Sequence, residues 1–305
     1  MKHHHQGRRR FLKQTTLACV GLSVAGRLGA MPAGKKAFKI SLAEWSLNRL
    51  LFAGTMDHLD FAQIAADNDI MGIEYVNQFF VDRAEDKAYL GEMKMRAEDL
   101  GVESVLIMCD REGRLGDPDE AVRMQAVENH YKWVTAAKFL GCHSIRVNGY
   151  SAGSYDEQMK LVADGLRRLC EFGDEHGLHV IIENHGGFSS NGKWLRDTIK
   201  MADHPRAGTL PDFGNFRISE GESYDSYRGV EELMPYATGV SVKTTVWDDH
   251  GKSHDLNYER MMKIVLAAGY HGWCGIEHGP RNRELEGIRE VRDRLREVRT
   301  ALEAE

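Results

Sequence analysis

The chain has 305 residues, of which 42% are hydrophobic and 28% charged, a composition typical of a globular protein with a sizeable core. Residues 1–36 hold eight of the 40 lysines and arginines and no acid, so the remaining 32 basic side chains face 46 acidic ones. Such an acidic surface repels phosphodiester backbones, so we expect no nucleic-acid partner. Beyond residue 36 no apolar run is long enough to span a bilayer, so we expect no stable membrane insertion of that part.

The N-terminal segment, residues 1–36, contains RRRFLK at residues 8–13, followed by a short, weakly apolar stretch of Leu, Ala, Val and Gly. This order resembles a twin-arginine export signal, which is recognised by a receptor and exports folded cargo. The resemblance implies a periplasmic or otherwise exported protein whose folded domain comprises residues 37–305. The alternative interpretation is a disordered basic tail with a mildly apolar segment.

Predicted strands and helices alternate from residue 37 onward. The strands are predicted at residues 39–47, 72–77, 103–109, 144–149, 179–184, 207–213, 239–247 and 273–279. Amphipathic stretches between them, such as DEAVRMQAVENHYKWVTAAKFLG, end at a glycine, which is typical of a helix C-terminus. Eight such units predict an α/β fold, a single-domain (β/α)8 TIM barrel. The alternative is an open doubly wound sheet, which requires a glycine-rich loop after the first strand, and LAEWSLNRLLFAG is not one.

Cysteines in the predicted domain are scattered, with no CxxC pair and no His/Cys metal spacing. They are Cys109, Cys142, Cys170 and Cys274. Because these positions lie mostly in apolar strand or helix segments, we predict buried free thiols.

Polar residues at the carboxyl ends of the strands are the candidates for function, since a TIM barrel builds its active site there. They are Glu44, Glu74, Asn77, Asp110, Arg146, Asn148, Glu183, His185, Asp212, Ser241, Lys243 and Glu277. Residues two apart in a strand share a face, so Glu183 and His185 are expected to point inward together, with Ile182 outward. Inward carboxylates from the fifth, sixth and eighth strands should therefore converge within a few ångströms.

Three converging carboxylates cannot all stay ionised without a compensating charge, and a divalent cation is the simplest one. Oxygen-dominated ligation by Glu183, Asp212 and Glu277 suits Mn²⁺ or Mg²⁺, or Co²⁺ or Zn²⁺ if an imidazole joins. Trp45, Trp194, Trp247 and Phe213 are candidates for stacking on a ligand ring. For Trp194 we favour packing between helix and strand.

Four motifs, VIIENHGG, TLPDFGN, VSVKT and GIEHGP, resemble those of the xylose-isomerase-like TIM barrels over essentially all of residues 37–305. That superfamily includes sugar isomerases, ketose 3-epimerases, inosose dehydratases and endonuclease IV. The resemblance implies that Glu183, Asp212 and Glu277 are metal ligands, with Mn²⁺ favoured. The chain departs from the family pattern at two positions, where Ser241 and Asn215 replace histidines. The fourth ligand is left to water, Ser241, or a loop histidine, His250 or His254.

The resemblance also implies an enzyme that moves a proton on the carbon next to a sugar carbonyl. The metal would stabilise the enediolate, while Glu183 and Glu277 would act as acid and base. Lys243 would hold a substrate oxygen or act as a base, or pair with Glu277 or Asp212. The residues implied in substrate recognition are Glu74, Asn77, Arg146, Asn148, His185 and Asn215.

The expected substrate is a non-phosphorylated sugar or keto-sugar, because no phosphate-binding loop or Lys/Arg cluster follows the last two strands. The main alternative is a 3-keto-glycoside lyase or dehydratase, which would use the same enolate to break C2–H and C1–O bonds. A non-catalytic exported sugar-binding protein is a third hypothesis. An endonuclease is disfavoured, because its trinuclear centre needs several histidines absent here. The sequence leaves a homo-oligomer open.

Overall fold

In the computed structural model, which describes residues 37–279 and 282–304, eight parallel strands form one sheet around the barrel axis. The predicted export segment lies outside the described residues. The strands are β1 (Lys39–Ala43), β2 (Gly72–Val76), β3 (Glu103–Met108), β4 (Ser144–Asn148), β5 (His179–Glu183), β6 (Ala207–Leu210), β7 (Val240–Val242) and β8 (Trp273–Ile276). Their order, β6-β5-β4-β3-β2-β1-β8-β7, follows the chain except that β1 pairs with β8.

The barrel closes between β6 and β7 through two isolated parallel bridges. Asp212 and Ser241 form a parallel bridge, as do Thr209 and Ala237. The Phe213 amide donates to the Ser241 carbonyl at 3.1 Å. This closure brings Asp212 and Ser241 side by side at the barrel mouth.

Helices cover the outside of the sheet, one after each strand. They are α1 (Phe61–Asp67), α2 (Lys87–Asp99), α3 (Glu120–Leu140), α4 (Tyr155–Glu175), α5 (Gly192–Ala202), α6 (Ser226–Leu233), α7 (Tyr258–Ala267) and α8 (Glu284–Glu303). A short helix, Asn48–Phe52, precedes α1. Within residues 37–279 and 282–304, no helix has the length and apolarity needed to cross a membrane.

Local sequence explains where the long helices begin and end. Helix α4 starts at a capping box in which the Ser154 hydroxyl and the Glu157 carboxylate bond to each other's backbone amides. Helix α3 ends at Gly141, whose φ of 87° is the left-handed conformation that glycine adopts without strain. The predicted glycine stop before the fourth strand is therefore confirmed, as is the (β/α)8 fold.

Two apolar cores lie on the two faces of the sheet. A small core fills the barrel interior and includes Leu106, Ile181 and Leu210. The larger core lies between strands and helices and includes Val180 and Ile182. The alternation along β5 is the predicted one, so the next inward side chain is that of Glu183. The four cysteines of the domain are buried free thiols, as predicted.

The predicted strands at residues 39–47 and 239–247 extend furthest beyond the observed ones, which end at Ala43 and Val242. After β1 the chain turns into a 3-10 helix, Glu44–Leu47, and the Glu44 carboxylate accepts the Val76 amide at 2.8 Å. After β7 the chain leaves the barrel, and Thr245–Trp247 pairs with Ser253–Asp255 in an antiparallel hairpin. The apolar runs therefore continue beyond the sheet into the segments that follow the strands.

Candidate active site

Three buried carboxylates meet at the carboxyl ends of β5, β6 and β8. Glu183 ends β5, Asp212 lies two residues beyond β6, and Glu277 directly follows β8. One carboxylate oxygen from each lies within 4.8 Å of the others, and the residues are only 1%, 0% and 8% exposed. We call these three residues the acidic triad. Of the described residues, no histidine or cysteine joins the triad: His254 pairs with Asp248 at 2.8 Å on the exposed hairpin, and His250 is exposed there.

Ser241 in β7 and Lys243 directly after that strand bind two members of the triad. The Lys243 Nζ lies 2.6 Å from Asp212 Oδ2 and 2.7 Å from Glu277 Oε1. The Ser241 hydroxyl donates to Asp212 Oδ2 at 2.9 Å and lies 3.3 Å from Glu277 Oε2. Burial opposes ionisation of Glu277, but the Lys243 ammonium outweighs it and lowers the pKa of that carboxyl. Glu277 is therefore held ionised, and the pKa of Lys243 is raised in return by Asp212 and Glu277 despite burial.

Glu183 has a different environment. The Arg146 Nε lies 2.8 Å from Glu183 Oε2, but the alignment leaves both atoms without a hydrogen bond. The Asn215 side-chain amide donates to Glu183 Oε1 at 2.8 Å. Burial raises the pKa of Glu183 despite the guanidinium beside it. Two neighbouring carboxylates thus have pKa values displaced in opposite directions, an arrangement suited to a paired acid and base.

Arg146 also binds Asp110, which links the triad to the rim after β3. The Arg146 guanidinium and the Asn148 amide both donate to Asp110 Oδ1 at 2.8 Å. Burial disfavours the ionised form of Asp110, yet Arg146 and Asn148 lower the pKa of this carboxyl well below its usual value. Arg146 therefore lies between two acids, and Asn148 holds one of them in place.

Asn184, which the sequence analysis did not single out, joins the ends of β5 and β6. Its side chain donates to the Asp212 carbonyl at 2.9 Å and accepts the Asp212 amide at 2.7 Å. Asp212 Oδ1 in turn accepts the amides of Gly214 and Asn215 at 2.8 Å each. The sequence did point to Asn184, because it lies between Glu183 and His185 at the end of a strand. A side-chain amide in that position is buried and needs hydrogen-bond partners.

Two predicted substrate-binding residues, Glu74 and Asn77, are fully buried. Glu74 accepts the Ser41 hydroxyl at 2.6 Å, and a Cβ at residue 275 would lie 2.4 Å from both its carboxylate oxygens, so Gly275 makes room for it. Burial raises the pKa of Glu74 to about 8. Asn77 bonds to both backbone groups of Asp110 and to Glu112 Oε1. The structure thus gives both residues protein partners, and their contact with substrate stays a prediction.

His185 lies on the rim with Tyr150, a residue that the sequence analysis missed. The Tyr150 hydroxyl is 2.7 Å from His185 Nδ1, and Tyr150 is 38% exposed. Tyr150 lies two residues beyond Asn148. Extending the period of two past Gly149 would therefore have placed Tyr150 on the same face as Asn148. Of the candidate stacking residues, Phe213 and Trp194 are fully buried, and Trp194 Nε1 donates to the Tyr155 carbonyl at 3.0 Å.

The model of the family described as xylose isomerase-like TIM barrel matches residues 62–298, more than half of the chain. The chain belongs to this family. No curated protein matches the sequence significantly.

Solved structures of xylose isomerase-like barrels resemble this one over nearly their whole length. 3-Keto-D-glucoside 4-epimerase from E. coli is 16% identical with a TM-score of 0.64, covering 86% of this chain and 99% of that one. D-Psicose 3-epimerase from Clostridium cellulolyticum H10, solved with D-tagatose, is 12% identical with a TM-score of 0.65 and coverages of 86% and 99%. A family protein from Mycobacterium smegmatis in complex with magnesium is 15% identical, with a TM-score of 0.65 and coverages of 87% and 98%. At these identities the likeness shows the shared fold.

The acidic triad has the donor set that a hard divalent cation requires. Its three members supply oxygen ligands, and Glu183 Oε2 is a buried acceptor without a hydrogen bond. Ser241 places a hydroxyl at the position where the resemblance described above led us to expect an imidazole. The positive charge next to Asp212 and Glu277 comes from Lys243. A metal bound by the triad would share these two carboxylates with the ammonium.

Proposed function

We propose that this protein is an enzyme that removes a proton from the carbon next to the carbonyl of a non-phosphorylated sugar or keto-sugar. The product is formed by isomerisation or epimerisation. The observation that carries the proposal is the pair Glu183 and Glu277, two buried carboxylates of one cluster, the first beside Arg146 and the second beside Lys243. Epimerisation moves a proton between the two faces of one sugar carbon, and isomerisation moves protons between neighbouring atoms of the sugar. Each reaction needs one group that accepts a proton and another that returns it.

Each residue of the site has a role in this scheme. Glu277, kept ionised by Lys243, removes the proton. Glu183, whose pKa is raised by burial, returns a proton. Lys243 and Arg146 supply positive charge close to the developing enediolate. Asn148, His185 and Asn215 are the partly exposed hydrogen-bonding groups that would orient the sugar hydroxyls.

A divalent metal belongs to the proposal as the cofactor, with Mn²⁺ favoured. Glu183, Asp212 and Glu277 would hold it, and when bound it would act as a Lewis acid on the sugar carbonyl. Support comes from the all-oxygen donor set and from the relative solved with magnesium.

Export from the cytoplasm is also part of the proposal, supported by the RRRFLK sequence at residues 8–13. A periplasmic location favours a free sugar or glycoside over a phosphorylated one. The 3-keto-D-glucoside 4-epimerase structure supports a keto-glucoside as the first substrate to test.

Elimination from a 3-keto-glycoside is the second candidate function. It is favoured by the Tyr150–His185 pair at the rim, whose hydroxyl and ring nitrogen lie 2.7 Å apart. This pair is a proton donor separate from the triad and could protonate a departing glycosidic oxygen. The same enolate would then lead to release of the aglycone.

One assay tests both functions. The protein is incubated with Mn²⁺ in D₂O together with free ketoses and 3-keto-glucosides. We expect deuterium in recovered substrate or in its isomer, measured by mass spectrometry, and aglycone release would select the lyase. Absence of both exchange and release across the panel would contradict the proposed function and leave a sugar-binding protein.

Replacing Lys243 with methionine is expected to tighten Mn²⁺ binding by at least about tenfold, equivalent to about 1.4 kcal/mol. The change removes the cation that binds Asp212 and Glu277 at 2.6 and 2.7 Å. The dissociation constant is measured by equilibrium dialysis, without reference to turnover. The control is Lys200→Met, which removes the same charge from the exposed end of α5. Equal or weaker binding by K243M would show that Lys243 does not compete for the metal position.

A further inference from the structure

Asp110 is a charged residue of the barrel mouth that has no role in the proposed function. It lies two residues beyond β3, and its carboxylate is 2.8 Å from the Arg146 guanidinium. The Nε atom of the same guanidinium lies 2.8 Å from Glu183 Oε2. A single guanidinium thus separates Asp110 from a member of the acidic triad. The Asp110 side chain is 17% exposed, against 5% for Arg146 and 1% for Glu183, so a ligand reaches Asp110 most easily.

The two neighbouring strands hold Asp110 in place. Asn77, directly after β2, donates to the Asp110 carbonyl at 3.0 Å and accepts its amide at 2.9 Å. Three side chains of the described residues donate to the carboxylate. They are Arg146 and Asn148, both at 2.8 Å from Oδ1, and Gln78 at 3.0 Å from Oδ2. A carboxylate has about four acceptor positions, so one remains for the hydroxyl of a ligand.

Both cations at the site bind pairs of acids. Arg146 lies between Asp110 and Glu183, and Lys243 binds the other two members of the triad at 2.6 and 2.7 Å. With a divalent metal held by the triad, the four ionised carboxylates would balance the charges of the metal, Arg146 and Lys243. Removal of Asp110 would leave one positive charge in excess, next to a guanidinium, which is the group best suited to bind a carboxylate. Asp110 therefore controls whether the site attracts an anion.

We propose that Asp110 determines the specificity of the site, which binds uncharged sugars and rejects sugar acids, and the placement of the sugar at the triad rests on the proposed function. Its carboxylate binds Arg146 Nη1, which would otherwise be open to a carboxylate of the substrate. It also repels a uronate, whereas the hydroxyl of a neutral sugar can donate to its remaining acceptor position. The substrate class is therefore an uncharged ketose or keto-sugar rather than a uronate.

Titration calorimetry on the whole protein with Mn²⁺ tests this role, with D-glucuronate and D-galacturonate compared with D-glucose and D-galactose. Asp110→Ala is expected to bind at least one uronate about tenfold tighter than the unmodified protein does, because the released guanidinium can pair with the uronate carboxylate. Its affinity for the neutral sugars should not rise. Arg146→Met in the Asp110→Ala background should abolish the gain, which would place the bound uronate at the guanidinium.

Asp110→Asn removes the charge, keeps the size of the side chain and should give a smaller gain in the same direction. It decides the question if circular dichroism shows that Asp110→Ala is not folded. The matched control is Asp82→Ala, which removes an exposed aspartate from the segment after β2 and should change no affinity. Folded Asp110 variants that gain no uronate affinity, or that gain equally for neutral sugars, would overturn the proposal.

Deuterium exchange separates this inference from the proposed function. A protein that exchanges no proton in any sugar, yet gains uronate affinity when Asp110 is replaced, would refute the enzyme and support the role of Asp110. Normal exchange in a ketose without any gain in uronate affinity would refute the role of Asp110 and support the enzyme.

Discussion

Replacing Glu183 or Glu277 with glutamine is expected to lower the rate of deuterium exchange by about 10²–10⁴-fold, the usual contribution of a positioned acid or base. Glutamine keeps the size of each side chain but cannot accept or return the proton. It also removes one of the three carboxylates that lie within 4.8 Å of one another. Mn²⁺ binding should therefore weaken in both variants, as measured by equilibrium dialysis.

Glu220→Gln is the matched control, since Glu220 is exposed at the rim after β6 and has no contact with the triad. It should exchange deuterium at the rate of the unmodified protein. Circular dichroism and thermal unfolding establish that each variant is folded. A metal-free Glu183→Gln or Glu277→Gln protein that exchanges at the normal rate would disprove the roles given to these carboxylates.

Strand parity explains why the triad could be located from the sequence. In HVIIE the β-branched run indicated a strand buried on both faces, and the period of two put Ile182 outward and Glu183 inward. The structure has this alternation, with Ile182 in the outer core and Glu183 in the cluster at the barrel mouth. The convergence of the carboxylates at the ends of the fifth, sixth and eighth strands then followed from the closed barrel.

The depth of a side chain along the barrel axis could not be obtained in the same way. Glu74 has the correct parity for the barrel interior, but it lies beneath the mouth because Gly275 leaves space for it there. The period of two tells on which face of a strand a side chain lies. It does not tell how deep along the barrel axis that side chain lies. The departure of the chain from the barrel after β1 and β7 was also hidden, because the apolar pattern continues into the rim.

The pairing of charges could be predicted only in part: Lys243 was expected to pair with Glu277 or Asp212 as one alternative, and the structure has both ion pairs, whereas the individual partners of Arg146 were not predicted. Lys243 and Arg146 have long side chains, and each has several acids within reach. The structure directs Lys243 to Asp212 and Glu277, and Arg146 to Glu183 and Asp110. Such choices depend on desolvation and on neighbours from other strands, which a single strand motif does not contain.

Arg146→Met is expected to lower the free energy of unfolding by roughly 3–5 kcal/mol, the usual cost of leaving a buried charge without its partner. Arg146 is only 4% exposed, and it is the cation next to both Glu183 and Asp110. Without it, both carboxylates lose the cation that pairs with them. Denaturant titration of the metal-free protein measures the loss, because a bound cation would offset it.

Two further variants decide whether the loss comes from the buried charges. Arg294→Met removes a guanidinium paired with Glu297 on the surface of α8, where the side chains are 68% and 65% exposed, and should cost at most about 1 kcal/mol. Asp110→Asn in the Arg146→Met background removes one of the unpaired carboxylates and should restore part of the stability. If Arg146→Met cost no more than Arg294→Met, the ion pairs of Arg146 would not stabilise the site. A loss that Asp110→Asn failed to reduce would instead assign the effect to packing of the arginine side chain.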